Sequence, residues 1–122
     1  MSTVEIHERR AGSVLVVSLC GDLDSGTAPA VHERLRALLP ADGRVLVDLT
    51  GVPYMSSAGL RTMLLLHRQA RATRTAVALA GLSPDLRGMM EATGFLGYFT
   101  VDDTVAGGVR GLEAARPGEA AS

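Results

Sequence analysis

Three short apolar runs, "SVLVVSLCG" (13–21), "GRVLVDLTG" (43–51) and "TAVALAG" (75–81), each hand over to a stretch with helical spacing. No other feature constrains the fold as much. Strands that alternate with helices form a mostly parallel sheet with the helices packed on it. The middle run carries Val45-Leu46-Val47, apolar on both faces, as a central strand covered on both sides requires. Ahead of the first run, "VEIHERR" alternates Val4 and Ile6 with Glu5 and His7, the period of an edge or half-buried strand. Ala11-Gly12 then supplies a turn, so this strand joins the next as an antiparallel hairpin.

The intervening helices have readable ends. Asp24, Ser25 and Thr27 are candidate caps for a helix that tolerates Pro29 in its first turn, lines up Val31, Leu35, Leu38 and Leu39, and stops at Pro40. A second helix is predicted over 58–72, with Leu60, Met63, Leu64 and His67 on one face and Leu65 and Leu66 widening it. A third has Ser83 at the cap, Pro84 at the first helical position, Asp85 in the first turn and Gly94 just past the end. "YFTV" (98–101) reads as a fifth, short strand. Val105, Val109 and Leu112 then space a fourth helix, which Gly107 and Gly108 weaken. The reading is one α/β domain over residues 1–116 with a polar, disordered tail at 117–122, and no repeat or linker.

Composition narrows the function. The chain has 122 residues, 47% of them hydrophobic, enough for one real core. Aromatics are 3% with no Trp, which argues against a base-stacking nucleic-acid surface. A net charge of -1 gives no basic field for nucleic acid or an anionic membrane. Cys20 is the one cysteine, so disulfides and a cysteine zinc site are excluded; near the end of an apolar run, it is expected to be a small buried thiol. No segment approaches the roughly 20 apolar residues of a membrane span, and "MSTVEIHERR" has no apolar signal core, which makes a cytoplasmic location the simplest expectation.

Chemistry concentrates in "GVPYMSSAGL" (51–60). In parallel sheets, sites lie at the carboxyl ends of strands. Asp48, Ser56 and Ser57 are read as following the third strand, and Asp22 and Asp24 the second, so acids and hydroxyls would share one end of the sheet. A serine there is a helix cap, a nucleophile, or a site where phosphate is added and removed. At a helix start the free N–H groups and dipole favour negative charge, and Ala58 and Gly59 leave the hydroxyl open to another protein. The nucleophile reading fares worst. Met55 stands where a hydrolase elbow needs Gly, His7 and His32 precede the serine, and His67 lies more than two turns along the same helix. With no Lys there is no phosphate-binding loop of the G-x-x-x-x-G-K type, and no histidine pair has metal-ligand spacing.

"VLVVSLCGDLDSGTAPAVHERLRALL", "VLVDLTGVPYMSSAGLRTMLLLHRQA" and "VALAGLSPDLRGMMEATGFLGYFTV" resemble the STAS domain, specifically the bacterial anti-sigma factor antagonists. The likeness covers nearly the whole chain. It implies a mixed, mostly parallel sheet of about five strands packed with about four helices. It also implies no enzyme activity and no cofactor, but regulation by contact: the antagonist binds an anti-sigma factor, typically a serine kinase with a histidine-kinase-like ATP-binding fold, and a sigma factor is released. The kinase phosphorylates a serine and ends the complex; a phosphatase resets it. The family's acceptor matches Ser57, its first-loop acid matches Asp24, and Thr27 stands where that loop enters the helix. The family commonly has Asp before the acceptor. Here Ser56 removes that charge and offers a second hydroxyl, so Ser56 is the second choice of acceptor. The docking surface implied is Asp22, Asp24, Thr27, Ser56, Ser57, Ala58, Gly59, Leu60 and Arg61. The alternative is a constitutive STAS-like binding module of a stress-signalling or lipid-transport assembly.

Overall fold

The computed structural model describes residues 3–114. Five strands form one sheet in the order β1-β2-β3-β4-β5: Glu5–Ala11, Val14–Cys20, Arg44–Gly51, Ala76–Ala80 and Thr100–Asp102. β1 and β2 are an antiparallel hairpin, and every later pair is parallel. Gly12 makes the hairpin turn at a φ of 62°, in the left-handed region. The helices are α1 (Ala28–Leu38), α2 (Ser57–Thr73), α3 (Pro84–Ala92) and α4 (Val105–Ala114).

Strand order equals sequence order, so the right-handed crossovers β2-α1-β3, β3-α2-β4 and β4-α3-β5 all advance in one direction. They therefore place α1, α2 and α3 on the same face of the sheet. The main core lies there: Leu15, Val17 and Leu19 of β2, Val45, Val47 and Leu49 of β3, and Val77 and Leu79 of β4 pack with Val31, Leu35, Met63, Leu66, Leu86 and Met90. The alternate residues Val14, Val16, Leu46, Ala76, Ala78 and Ala80 turn to the other face, where Leu112 of α4 covers them. The expectation that Val45-Leu46-Val47 is covered on both sides holds.

Gly107 and Gly108 have a use that helix propensity hides. A Cβ on Gly108 would stand 2.7 Å from Leu46 Cδ1, so its absence lets α4 sit close on the sheet above the three alanines of β4. The helix is then tied at its far end, where Arg44 Nε donates to the Leu112 carbonyl (2.8 Å) and Ser13 N donates to Glu113 Oε2 (2.9 Å).

Three expectations need correction. α2 turns Gly59, Leu60, Thr62, Met63, Leu66, His67 and Ala70 inward, whereas Leu64 and Leu65 are only half-buried. The fifth strand is Thr100–Asp102, because Gly94, at a φ of 80°, leads the chain into a 3-10 turn over Phe95–Tyr98 that uses up Tyr98. Cys20 is exposed. It shares the sheet face of Val14 and Val16 but lies at the carboxyl end of β2, outside the cluster that α4 covers. The expected tail at 117–122 lies outside the described residues. Among the described residues, no helix is long and apolar enough to cross a membrane.

His67 carries a pH dependence. It is 5% exposed, its ring lies 5.7 Å from that of Tyr98 and 5.6 Å from that of Phe99, and its buried Nδ1 has no hydrogen-bond partner. Burial first, then Arg71 and Arg68, lower its pKa below the ordinary histidine value. The unfolded chain therefore takes up the proton first as pH falls. Stability is full above the ordinary histidine pKa of about 6.5 and declines as pH drops toward the lowered folded value. Melting curves from pH 8 to 5 are expected to show the wild type losing more Tm than His67→Leu. Parallel pH profiles would remove His67 as the source.

Candidate functional site

The site is built from two loops at the carboxyl ends of neighbouring parallel strands: residues 21–27 between β2 and α1, and residues 52–56 between β3 and α2. Backbone bonds continue the strand pairing into the loops. Gly21 N donates to Gly51 O (3.0 Å), Leu23 N to Tyr54 O (3.0 Å) and Ser56 N to Leu23 O (2.8 Å). Leu23 and Met55 face each other as an isolated parallel bridge, and both are fully buried. These two side chains pin both loops to the main core, so the exposed residues between them are presented on a fixed frame.

In the first loop, Asp24 and Thr27 act on their own backbone. Asp24 Oδ1 accepts from Gly26 N (2.9 Å) and Thr27 N (3.1 Å). Thr27 Oγ1 donates to Asp22 O (2.7 Å) and accepts from Asp24 N (3.0 Å). Thr27 precedes α1 but makes no side-chain cap bond to it, and Pro29 lies in the first turn as expected. The loop is thereby stiffened by its own polar side chains.

In the second loop the two serines divide the work. Ser56, in extended backbone, is the N-cap of α2, and its Oγ accepts from Ala58 N (3.2 Å). Ser57 is the first helical residue and is exposed. Among the described residues its hydroxyl makes no hydrogen bond. The cap reading therefore belongs to Ser56 and leaves Ser57 free. Ser56→Ala is expected to cost about 1 kcal/mol, and Ser57→Ala much less. Urea denaturation of the two variants checks this, and an equal loss in both would return the cap to Ser57.

The predicted residues Asp22, Asp24, Thr27, Ser56, Ser57, Ala58, Gly59, Leu60 and Arg61 all lie on these loops or the first five residues of α2, and the loop pairing brings them together. Ser57 and Arg61 are exposed; Gly59 and Leu60 are buried and serve the packing. Asp48 does not join them. It lies within β3, on the sheet face of Leu46, where its Oδ2 accepts from Ser18 Oγ (3.0 Å) and its Oδ1 from Thr50 N (3.0 Å). The sequence reading also missed Tyr54. Val52 and Met55 are buried, but Tyr54 between them is 53% exposed beside the serines. In a chain with 3% aromatics an exposed tyrosine is an interface signal.

A groove of about 240 Å³ between α1 and α2, with Pro29, His32, Arg61 and Leu65 in its walls, opens next to Ser57. Its size suits one side chain better than a cofactor, since ligand pockets run from about 300 Å³ upward. A larger cleft of about 490 Å³ between β1 and α1 gathers, among the described residues, one ionisable side chain, Arg34, already paired with Glu8 at 3.5 Å. Among the described residues, no group of three or more His, Cys, Asp or Glu could hold a metal ion.

This fold and site define a STAS domain: the model of that family matches residues 5–108, and the chain belongs to the family. Within it, the chain is 32% identical over 105 residues to a putative anti-sigma factor antagonist, BtrV of Bordetella bronchiseptica, covering 85% of this chain and 90% of BtrV. It is 36% identical over 93 residues to the anti-sigma-B factor antagonist of Listeria monocytogenes, covering 75% of this chain and 81% of that protein. Among solved structures, an anti-sigma factor antagonist from Mycobacterium paratuberculosis superposes with a TM-score of 0.80 at 21% identity, over 90% of this chain and 94% of the other. The phosphorylated form of the Bacillus protein SpoIIAA gives 0.64 at 16% identity, over 87% and 98%.

Proposed function

We propose that this protein is an anti-sigma factor antagonist whose unmodified form binds an anti-sigma factor through the two stitched loops and the start of α2, and which phosphorylation of Ser57 switches off. The observation that carries the reading is the division between the serines: Ser56 holds the helix, and Ser57 is exposed with an unengaged hydroxyl on a rigid frame. The names of its BtrV and Listeria relatives support the antagonist role. The phosphorylated SpoIIAA structure supports a phosphate as compatible with the fold.

In this reading the anti-sigma factor is a serine kinase with a histidine-kinase-like ATP-binding fold. It transfers the γ-phosphoryl group of ATP to Ser57 Oγ; the hydroxyl proton passes to a kinase base and ADP leaves. A phosphatase later adds water to the phosphoryl group and frees the serine. The phosphate adds roughly -1.5 to -2 charges at the first turn of α2, where the dipole and free N–H groups tolerate it. On the partner side the same charge enters a desolvated contact and breaks it. The unmodified form thereby sequesters the anti-sigma factor, and a sigma factor is released.

The test is capture from lysate of the host with Ser57→Ala as bait, followed by incubation of the wild type with the captured ATPase and ATP. Peptide mapping is expected to find phosphate on Ser57 and none on Ser56. Phosphate on Ser56 would move the switch by one residue. Capture of a partner that never modifies either serine would establish a constitutive binding module instead.

A further inference from the structure

We propose that Arg61 is the residue that receives the phosphate: once Ser57 is modified, its phosphate and the Arg61 guanidinium close into a pair along one face of α2. The inference rests on the reading of Ser57 as the modified residue and deepens it.

Ser57 and Arg61 are four residues apart on one helix, so their Cβ atoms lie about 6 Å apart on the same face. The order is the favourable one, with the anion N-terminal to the cation. Both residues are exposed. Four arginines already hold carboxylates (Arg34 with Glu8, Arg36 with Glu33, Arg74 with Asp42 and Arg87 with Asp103), while Arg9, Arg10, Arg68, Arg71 and Arg110 pair with none among the described residues. Among the described residues Arg61 has none, and α2 contains no Asp or Glu at all from Ser57 to Thr73. The other arginines of α2, Arg68 and Arg71, are 11 and 14 residues from Ser57, roughly 16 and 21 Å along the axis, out of reach of a phosphate there. A planar guanidinium also suits phosphate better than a point charge would, since it donates two parallel bonds.

The pairing changes what the switch does. In the unmodified protein Arg61 stands at the groove between α1 and α2 with His32, Pro29 and Leu65, an unneutralised cation beside an apolar recess. A partner presenting a carboxylate next to an apolar side chain fits that combination. Phosphorylation then engages the cation as well as adding an anion, so one modification weakens the attraction and installs the repulsion.

The full chain with phosphoserine incorporated at position 57 during translation tests this without any kinase. The second ionisation of the phosphate is followed by phosphorus NMR at low salt. His32 lies across the groove, so every sample carries His32→Gln to leave one cation facing the phosphate. Arg61→Gln is expected to raise the second phosphate pKa by about 0.3 unit or more, the size of an exposed helical ion pair. Arg61→Lys is expected to fall between, Arg68→Gln to leave it unchanged, and 0.5 M salt to shrink the difference. Identical titrations for the parent and Arg61→Gln would overturn the proposal. Because the phosphate is built in, that failure is separate from a failure to find phospho-Ser57 in the host, which would count against the functional reading alone.

Discussion

The Ser57→Asp protein is expected to fold as the parent does and to bind its anti-sigma partner about 100-fold more weakly, or worse. Two structural facts set these halves apart. Ser57 has no hydrogen bond to lose among the described residues, and α2 has no acid in its first turn. A carboxylate at the first helical position therefore meets an unopposed dipole and adds about 0.3 to 1 kcal/mol to the helix. At the interface the same carboxylate carries charge into a desolvated contact, a loss of several kcal/mol. Calorimetric titration against the captured partner, with melting curves of the same samples, reads both. A variant that unfolds would make Ser57 a structural residue after all. A variant that binds as tightly as the parent would make the domain a constitutive module.

The second large effect belongs to Gly59. An alanine inside a helix normally gains about 1 kcal/mol over glycine. Here its Cβ would stand 2.5 Å from Met55 Cγ, 2.7 Å from Leu23 O and 2.9 Å from Leu23 Cβ. Leu23 O is the acceptor for Ser56 N, so the backbone cannot retreat without opening the seam between the loops. Gly59→Ala is expected to destabilise the protein by about 2 kcal/mol, an overpacking cost that outweighs the propensity gain, and to weaken partner binding through the displaced loops. Gly88 of α3 is the control. A Cβ there meets nothing within 4 Å, and Gly88→Ala is expected to stabilise by about 0.5 to 1 kcal/mol. Urea denaturation of both variants decides the matter; equal gains would show that α2 is not held against Leu23 as described.

The strands, the hairpin and the caps of α3 were legible because each is a local signal. Ser83 Oγ accepts from Leu86 N (3.1 Å), and Gly94 is left-handed, as the sequence required. What failed were readings that needed a neighbour in space. Cys20 has an apolar run before it, but the run ends where α4 no longer covers the sheet. Leu64 and Leu65 outrank Thr62 and Ala70 in hydrophobicity, yet the direction of α2 across the sheet buries the smaller pair. Gly107 and Gly108 count against a helix until Asp102 is known to lie against the first and Leu46 under the second. Asp48 was set in the wrong group because its strand continues three residues past it, and alternation then carries its side chain to the other face. At the site, the motif located both serines, but only the bond from Ala58 N to Ser56 Oγ assigned the cap to one and left the other free.

Sequential strand order also bears on biosynthesis. Each strand joins the edge laid down just before it, so the sheet can grow in step with translation, every parallel pair closing over its own crossover helix. The main core fills along the way, as each crossover helix follows its strand. The other core has no such supply. Val14, Val16 and Leu46 are made early, yet the helix that shields them is the last described element, held at its far end by Ser13 and Arg44. Until α4 emerges and docks, the oily back of the sheet has no cover of its own.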